Sequence, residues 1–234
     1  MMSDIITEVI RDKGRVQVVV NGEEKLHFSR SAFSMRSLTA GDSVDLRELK
    51  EWLLVQQYPE ALSKAVAFLA VRSRSRLEVR RKLEGKGYLE RTIELVLYKL
   101  EREDLLDDEA FAREWARARI QRQFGKRRIL RELYQKGVSR DIAERVMREL
   151  ESEPENESER ELADELAGET ERNKQSVTPA RMLAHKLLRR VQSEPDHEKG
   201  MRKVLAAFIR RGFSYEEAGE AIRGALKEME EADD

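Results

Sequence analysis

Apolar residues recur every three or four positions from about residue 60 onwards, and this spacing predicts amphipathic α-helices that fall into three groups of three. The first group comprises Leu62, Val66 and Leu69, then Val79 and Leu83, then Ile93, Val96, Leu97 and Leu100. The second comprises Phe111, Trp115 and Ala118, then Ile129, Leu130 and Leu133, then Ile142, Val146 and Leu150. The third comprises Leu183, Leu187 and Val191, then Val204, Leu205 and Phe208, then Ala218, Ile222 and Leu226.

The middle helix of each group ends in the same short motif. An apolar residue is followed, after two others, by Lys or Arg, then Gly, then a second apolar residue. The motif reads LEGKGY from Leu83, LYQKGV from Leu133 and FIRRGF from Phe208. We expect the penultimate glycine to adopt the left-handed conformation that ends a helix, because it lacks a Cβ, and the two apolar residues to pack together.

Polar residues at the predicted helix starts agree with these stops. Ser75 with Glu78, and Ser214 with Glu217, have the spacing of a capping box. Thr178 stands directly before a proline, which is a favourable pair for the first turn of a helix. Starts and stops together predict repeated helical units.

The first fifty residues have a different pattern. GRVQVVVNGEEKLHFS predicts two strands joined at Asn21–Gly22, a strong signal for a short hairpin turn. ITEVI is a candidate third strand, LTAGDSVDL is expected to form a turn, and Leu46 to Gln57 a helix. Because a lone hairpin is marginally stable, this unit should pack on the first helices or on a partner.

These elements predict a mainly α fold. We expect three tandem three-helix repeat units that form an elongated, curved body with a small N-terminal β-hairpin extension, in a monomeric protein. The expected domains are the β extension at 1–50, the first unit with its leading helix at 51–106, the second unit at 107–150, an acidic linker or insertion at 151–177, and the third unit at 178–234. Within the insertion, ERELADELA is a candidate short helix.

Composition narrows the function classes. Charged residues make up 39% of the chain, which suits helices with large polar surfaces. The absence of cysteine excludes disulfides, thiolate zinc sites and cysteine nucleophiles. The N-terminus lacks the apolar run of a signal peptide, and no stretch approaches the length of a membrane span. We therefore expect a cytoplasmic protein without a membrane partner.

The net charge of −1 conceals an uneven distribution. Residues 61–102 carry 11 basic and 5 acidic side chains, whereas residues 151–177 carry 3 basic and 10 acidic ones. A basic stretch of this kind favours a polyanionic partner, but the solvated face of an ordinary helix is the alternative explanation. The candidate binding residues are Arg72, Arg74, Arg76, Arg80, Arg81, Lys82, Lys86, Arg117, Arg119, Arg122, Lys126, Arg127, Arg128 and Arg131.

Other candidate sites have simpler structural explanations. Phe111 and Trp115 could stack on bases, but they lie on an apolar stripe and are expected in the core. The acidic cluster at positions 104 and 107–109 is better explained by helix capping than by metal binding. The three histidines lie far apart without the paired spacing of a zinc site, and no nucleotide-binding glycine motif is present. We therefore expect neither a cofactor nor an enzyme.

The combination of SRLEVRRKLEGKGY, LEREDLLDDEAFAREW and FGKRRILRELYQKGV resembles the RecX family of bacterial recombination regulators. Gly125, Ile129, Leu133, Lys136 and Gly137 fit the family's second-unit pattern without gaps. The resemblance covers residues 55–150 and extends, with less similarity, to the third unit. The acidic insertion departs from the family pattern.

The resemblance implies a partner and a role. RecX-like proteins bind the RecA recombinase, chiefly its filament on single-stranded DNA, and inhibit its assembly, ATP hydrolysis and strand exchange. Such a role belongs to DNA repair and the SOS response. A helical module that binds DNA directly and acts without RecA is the main alternative, and a plain helical adaptor is a third. The residues leave open whether the arginines contact DNA phosphates or acidic groups on RecA, since guanidinium groups suit both.

Overall fold

The computed structural model describes residues 4–12, 14–152, 178–192, 194 and 196–233. These residues divide after Asp108 into two compact parts, called the first and second unit below, and each set of three helices is called a helical group. The acidic stretch and its candidate helix ERELADELA lie outside the described residues, apart from the first two positions of the stretch.

The first unit begins with a four-stranded antiparallel sheet in the order β3-β2-β1-β4. The strands are β1 (Asp4–Asp12), β2 (Arg15–Val20), β3 (Glu24–Ser29) and β4 (Ser43–Val44). Asn21 and Gly22 have φ of 53° and 77°, as the predicted hairpin turn requires. The hairpin and third strand are confirmed. The segment expected to form only a turn also contributes β4.

One face of the sheet is covered by two helices, α1 (Arg30–Met35) and α2 (Leu46–Leu69). The prediction that this second helix ends at Gln57 is wrong, because α2 is 24 residues long and continues through Pro59. Its buried residues recur every four positions, and this uninterrupted face favours continuation despite the missing proline N–H. They are Leu49, Leu53, Gln57, Ala61 and Ala65.

The core of the first helical group differs in one stripe from the prediction. Val66 is 42% exposed, so its predicted burial is wrong. Leu62 and Leu69 do pack against the core, but the fully buried residues of this face are Ala61 and Ala65. The prediction chose the larger apolar side chains as the core face, but small alanines face the core because they allow helices to approach closely. Against this face pack α3 (Arg76–Glu84) and α4 (Glu90–Arg102). The predicted stripe on α4 is confirmed, with all four residues at most 1% exposed.

The second unit contains two further groups of three helices. The first group is α5 (Asp108–Gln121), α6 (Lys126–Gln135) and α7 (Arg140–Ser152). The second is α8 (Pro179–Val191), α9 (His197–Arg211) and α10 (Tyr215–Asp233). On α5 the buried residues are Phe111, Ala112 and Ala116, so the predicted burial of Ala118 is wrong.

The three predicted helix stops are confirmed. Gly87, Gly137 and Gly212 have φ of 70°, 82° and 91°, and the apolar residues on either side of each are buried. After α9, for example, the N–H of Phe213 donates to the carbonyl of Phe208 at 3.2 Å, and their rings meet edge to face. These contacts satisfy carbonyls that a helix end leaves without partners. The left-handed glycine and its buried apolar neighbours therefore recur with the sequence repeat.

Candidate interaction surface

The start of α3 is closed by two sets of side chains. Ser75 accepts from the N–H of Glu78 at 3.2 Å, and both halves of the predicted capping box are present. Asp108 adds a further cap, because its Oδ1 accepts from the N–H of Arg76 at 2.7 Å. Burial raises the pKa of Asp108, while the bond from the Arg76 backbone partly opposes that rise. The acidic cluster thus supplies capping to α3, as well as standing at the start of its own helix.

The arginines on one face of α3 are bonded to carboxylates of α4. Arg76 donates to Glu94 at 2.8 Å and to Glu101 at 2.7 Å. Arg80 donates to Glu90 at 2.5 Å and also contacts Glu94. Arg80 is only 21% exposed at its side chain. These two arginines hold α3 against α4, so much of their charge is neutralised within the unit.

Two arginines before α3 also have internal partners. Arg72 bonds to the Glu78 carboxylate at 3.2 Å and to the Ser73 carbonyl at 2.7 Å. The guanidinium of Arg74 lies 4.0 Å from the centre of the Phe68 ring. Burial, followed by the nearby charge of Arg72, lowers the pKa of Arg74. Neither side chain is a fully solvated cation.

The remaining candidates of the first unit are Arg81, Lys82 and Lys86, and all three are exposed. In the part of the chain that the structure describes, none of them forms an ion pair. Lys82 extends near the Phe68 ring, with its Nζ 5.3 Å from the ring centre. Arg81 and Lys82 stand in the last turn of α3, where cations favourably meet the negative helix end. Arg81 and Lys82 are the cations of α3 that remain available to a partner.

In the second unit, one carboxylate accepts hydrogen bonds from an arginine of α5 and an arginine of α6. Glu132 accepts from Arg119 at 2.5 Å, from Arg128 at 3.1 Å and from the indole N–H of Trp115 at 3.1 Å. Burial alone would raise the pKa of Glu132, but the bonds from Arg119 and Arg128 outweigh it and lower the pKa. Arg119 therefore holds α5 against α6, whereas the Arg128–Glu132 pair lies within α6.

Trp115 has a larger structural role than its place on an apolar stripe indicated. It stacks on the buried Phe111 ring at 5.9 Å. Its own ring lies beneath two cations, Arg119 and Lys136, each 4.0 Å from its centre. Phe111 is confirmed in the core, whereas Trp115 is half-buried and packs between core and cations.

Arg122, Arg127 and Arg131 are exposed candidates of this unit. Among the described residues, their side chains form no ion pair. Lys126, by contrast, pairs with Glu151 at 2.7 Å. Arg117 is exposed and has an interaction within the protein. Arg127 and Arg131 are four residues apart and lie on one side of α6.

The exposed arginines follow the internal repeat. Arg81 stands six residues before Gly87, and Arg131 six residues before Gly137. Both therefore occupy equivalent positions of the sequence repeat. The sequence pattern located the basic helices, but it did not separate exposed arginines from paired ones. The Arg80–Glu84 and Arg128–Glu132 pairs have a local signal, their four-residue spacing.

The histidines occupy unrelated positions. His27 packs against Gly87, and burial, then Arg15 and Lys25, lowers its pKa. His185 lies 2.5 Å from the Glu228 carboxylate, and His197 is the first residue of α9. Within the described ranges, no group of three or more His, Asp or Glu side chains could hold a metal ion. No helix in those ranges is long and apolar enough to cross a membrane.

Comparison with known proteins identifies the helical groups. The family model described as "RecX, first three-helix domain" matches residues 61–100, and "RecX, second three-helix domain" matches residues 107–147. A crystal structure of a regulatory protein RecX has the same fold, with a TM-score of 0.57 and 23% identity over 94% of this chain and 99% of that one.

Two curated relatives are both named regulatory protein RecX. The protein of Corynebacterium efficiens is 33% identical over 207 residues, which are 88% of each chain. The protein of Prosthecochloris aestuarii is 44% identical over 94 residues, which are 40% of this chain and 62% of that one. Because the first match spans nearly the whole of both proteins, this chain belongs to the RecX family of regulatory proteins.

Proposed function

We propose that this protein binds the RecA recombinase filament on single-stranded DNA and inhibits its assembly, ATP hydrolysis and strand exchange. It would act in the cytoplasm as a monomeric, non-enzymatic regulator of recombination. Membership of a family of regulatory proteins supports the general role. The motifs of the first two helical groups support the choice of RecA as the partner.

The observation that carries this proposal is the division among the basic residues. Paired arginines such as Arg80 and Arg119 hold helices together. Arg81, Arg127 and Arg131 instead extend into solvent from equivalent helices. Exposed guanidinium groups bind carboxylates and phosphates through paired hydrogen bonds, so they suit both acidic groups on RecA and the DNA it coats. We assign the contact with the filament to these exposed cations, together with Lys82, Lys86 and Arg122.

The expected domain organisation is also proposed here. The first two three-helix units would span 51–106 and 107–150, and the third 178–234. The family matches at 61–100 and 107–147 fall within the first two ranges and support them. Units of this kind contact mainly their neighbours, which suits binding along an extended partner.

The test compares two titrations at one salt concentration. The first follows ATP hydrolysis by RecA on single-stranded DNA as this protein is added. The second follows binding of this protein to the same DNA without RecA. The proposal expects inhibition at concentrations well below those that coat free DNA. Inhibition that appears only once the strand is saturated would contradict filament recognition.

A direct DNA-binding module is the second candidate, and the side of α6 favours it. Tyr134 is 38% exposed. It follows Arg127 and Arg131 at seven and three residues, so one helix face presents two cations and an aromatic ring. Such combinations bind single strands by stacking and by phosphate contacts. Two phosphate contacts on a single strand give a slope of about −1.4 in log affinity against log salt. A near-zero slope for DNA binding would exclude this candidate.

A further inference from the structure

The connector between α5 and α6, residues 122–125, contains a strained backbone position. Gln123 has φ of 58°, in the left-handed region where a residue with a Cβ is disfavoured. Its N–H donates to the Ile120 carbonyl at 2.8 Å, and the next N–H donates to the Arg119 carbonyl at 3.1 Å. This is the geometry of a helix stop in which glutamine takes the place usually held by glycine. A conformation of this kind persists only where its surroundings stabilise it.

The end of α9 provides that stabilisation. Nη1 of Arg211 donates to the Arg122 carbonyl at 3.0 Å and to the Gln123 carbonyl at 3.4 Å. The carbonyl of Arg211 accepts from the N–H of Gly125 at 2.9 Å. A single residue of the third helical group therefore bonds to both ends of the connector, through its side chain and its main chain.

Two glycines bring the backbones close enough for these bonds. A Cβ on Gly125 would lie 2.5 Å from the backbone of Gly212 and Phe213. A Cβ on Gly212 would overlap the Cβ of Arg128. Gly125 has φ of −78°, which any residue adopts, so close approach and not backbone conformation requires glycine there. The contact between the connector and the end of α9, called the junction below, is therefore specific to these helix ends.

The junction lies beside the candidate surface of the second unit. Arg122 belongs to the connector itself, and Arg127 stands in the first turn of α6. Arg128 is directed to the junction, because its guanidinium lies 4.0 Å from the centre of the Phe124 ring and 3.4 Å from the Arg210 carbonyl. The end of α9 thus fixes the backbone that presents the exposed arginines.

We propose that the third helical group acts as a positioning element for this surface, and that Arg211 is its main positioning residue. By holding the strained connector, Arg211 orients Arg122 and Arg127 before the partner arrives. The partner then need not order them, which lowers the entropic cost of binding. This inference rests on the proposed function for its last step, whereas the junction itself is independent of it.

The neighbouring Arg210 provides a matched control. Its side chain is exposed, and only its main-chain carbonyl takes part in the junction, so Arg210→Ala removes the same charge while sparing the contacts. Gly125→Ala is the complementary variant, because it disturbs the junction without changing any charge. Arg211→Lys keeps the charge and can bond to one carbonyl at a time, so it should restore part of the function.

The experiment uses the full chain and two readouts. Amide hydrogen exchange of residues 119–128 reports the junction, and inhibition of RecA ATP hydrolysis on single-stranded DNA reports the function. Arg211→Ala should raise exchange about tenfold, as expected for local opening. It should also raise the half-inhibitory concentration about three- to tenfold, the cost of ordering a side chain or two on binding. Gly125→Ala should do the same, Arg211→Lys should fall between, and Arg210→Ala should match the unsubstituted protein.

Unchanged hydrogen exchange of residues 119–128 in Arg211→Ala would show that Arg211 does not stabilise the connector. Raised exchange with unchanged inhibition would overturn the positioning role and leave the proposed function intact. A failure of the proposed function is detected separately, as unchanged inhibition after loss of the exposed arginines themselves. If Gly125→Ala does not fold, the comparison of Arg211→Ala, Arg211→Lys and Arg210→Ala still decides between these outcomes.

Discussion

Arg80 and Arg81 are adjacent, identical in charge and expected to have opposite roles. Arg80 is 21% exposed and contacts Glu84, Glu90 and Glu94. Its partners are more exposed, at 44%, 65% and 44%. Each pair therefore contributes only about 0.2–1 kcal/mol. The substitution Arg80→Ala removes these pairs and a packed aliphatic stem, so it should lower the free energy of unfolding by about 1–2 kcal/mol.

Arg81→Ala should change the free energy of unfolding by less than about 0.5 kcal/mol, because the side chain is exposed and has no ion pair among the described residues. It should instead weaken binding to the filament. A charge-assisted contact of about 1–2 kcal/mol corresponds to a roughly 5- to 30-fold higher half-inhibitory concentration. Urea unfolding and the RecA ATPase titration measure the two effects separately. If Arg81→Ala destabilised the protein while Arg80→Ala alone impaired inhibition, the division into paired and available arginines would be wrong.

Three further predictions concern the framework that carries these side chains. Gln57→Leu should lower the unfolding free energy of the first unit by about 2–5 kcal/mol, because Gln57 bonds to the His27 carbonyl, the Leu89 N–H and the buried Thr92 hydroxyl. Gln56→Leu, one position away, should cost far less in the same urea titration. The lowered pKa of Glu132 stabilises the fold at pH values above about 4.3, and this contribution is lost as pH falls through the lower folded-state pKa. Glu132→Gln should therefore flatten the acid dependence of unfolding, and an unchanged dependence would count against the carboxylate's role. Gly137 has φ of 82°, which is unfavourable for alanine. Gly137→Ala should therefore cost about 1 kcal/mol by chemical denaturation, and a neutral result would contradict that assignment.

Local rules predicted most of the helical framework. Capping boxes and glycine stops depend on residues within one turn, so Ser75 with Glu78 and the motif ending at Gly87 could be recognised directly. The predicted end of α2 is too early because tertiary contacts extend the helix. A proline inside a helix usually marks a break, but a face of small and apolar residues buried against other elements continues past Pro59. Tertiary packing outweighed the cost of the proline.

The candidate surface was predictable only in part. The sequence located the two basic helices, because charge counts need no structure. It did not distinguish Arg80 from Arg81, since the carboxylates that bond Arg80 come mainly from the next helix, ten and fourteen residues away. The role of Gly125 was hidden for the same reason, because its neighbour Gly212 is 87 positions later in the chain. Contacts between distant segments decide which cations remain available.

The central claim is that exposed arginines on α3 and α6 contact the filament. The most direct test is the concentration of this protein that halves ATP hydrolysis by RecA on single-stranded DNA. It should be measured for a triple alanine variant at Arg81, Arg127 and Arg131, and for a control triple variant at Arg30, Arg47 and Arg91, which are exposed arginines outside both helices. We predict at least about a tenfold increase for the first variant, the effect of a single charge-assisted contact, and little change for the control. Equal potency of the two variants, with both still folded, would contradict it.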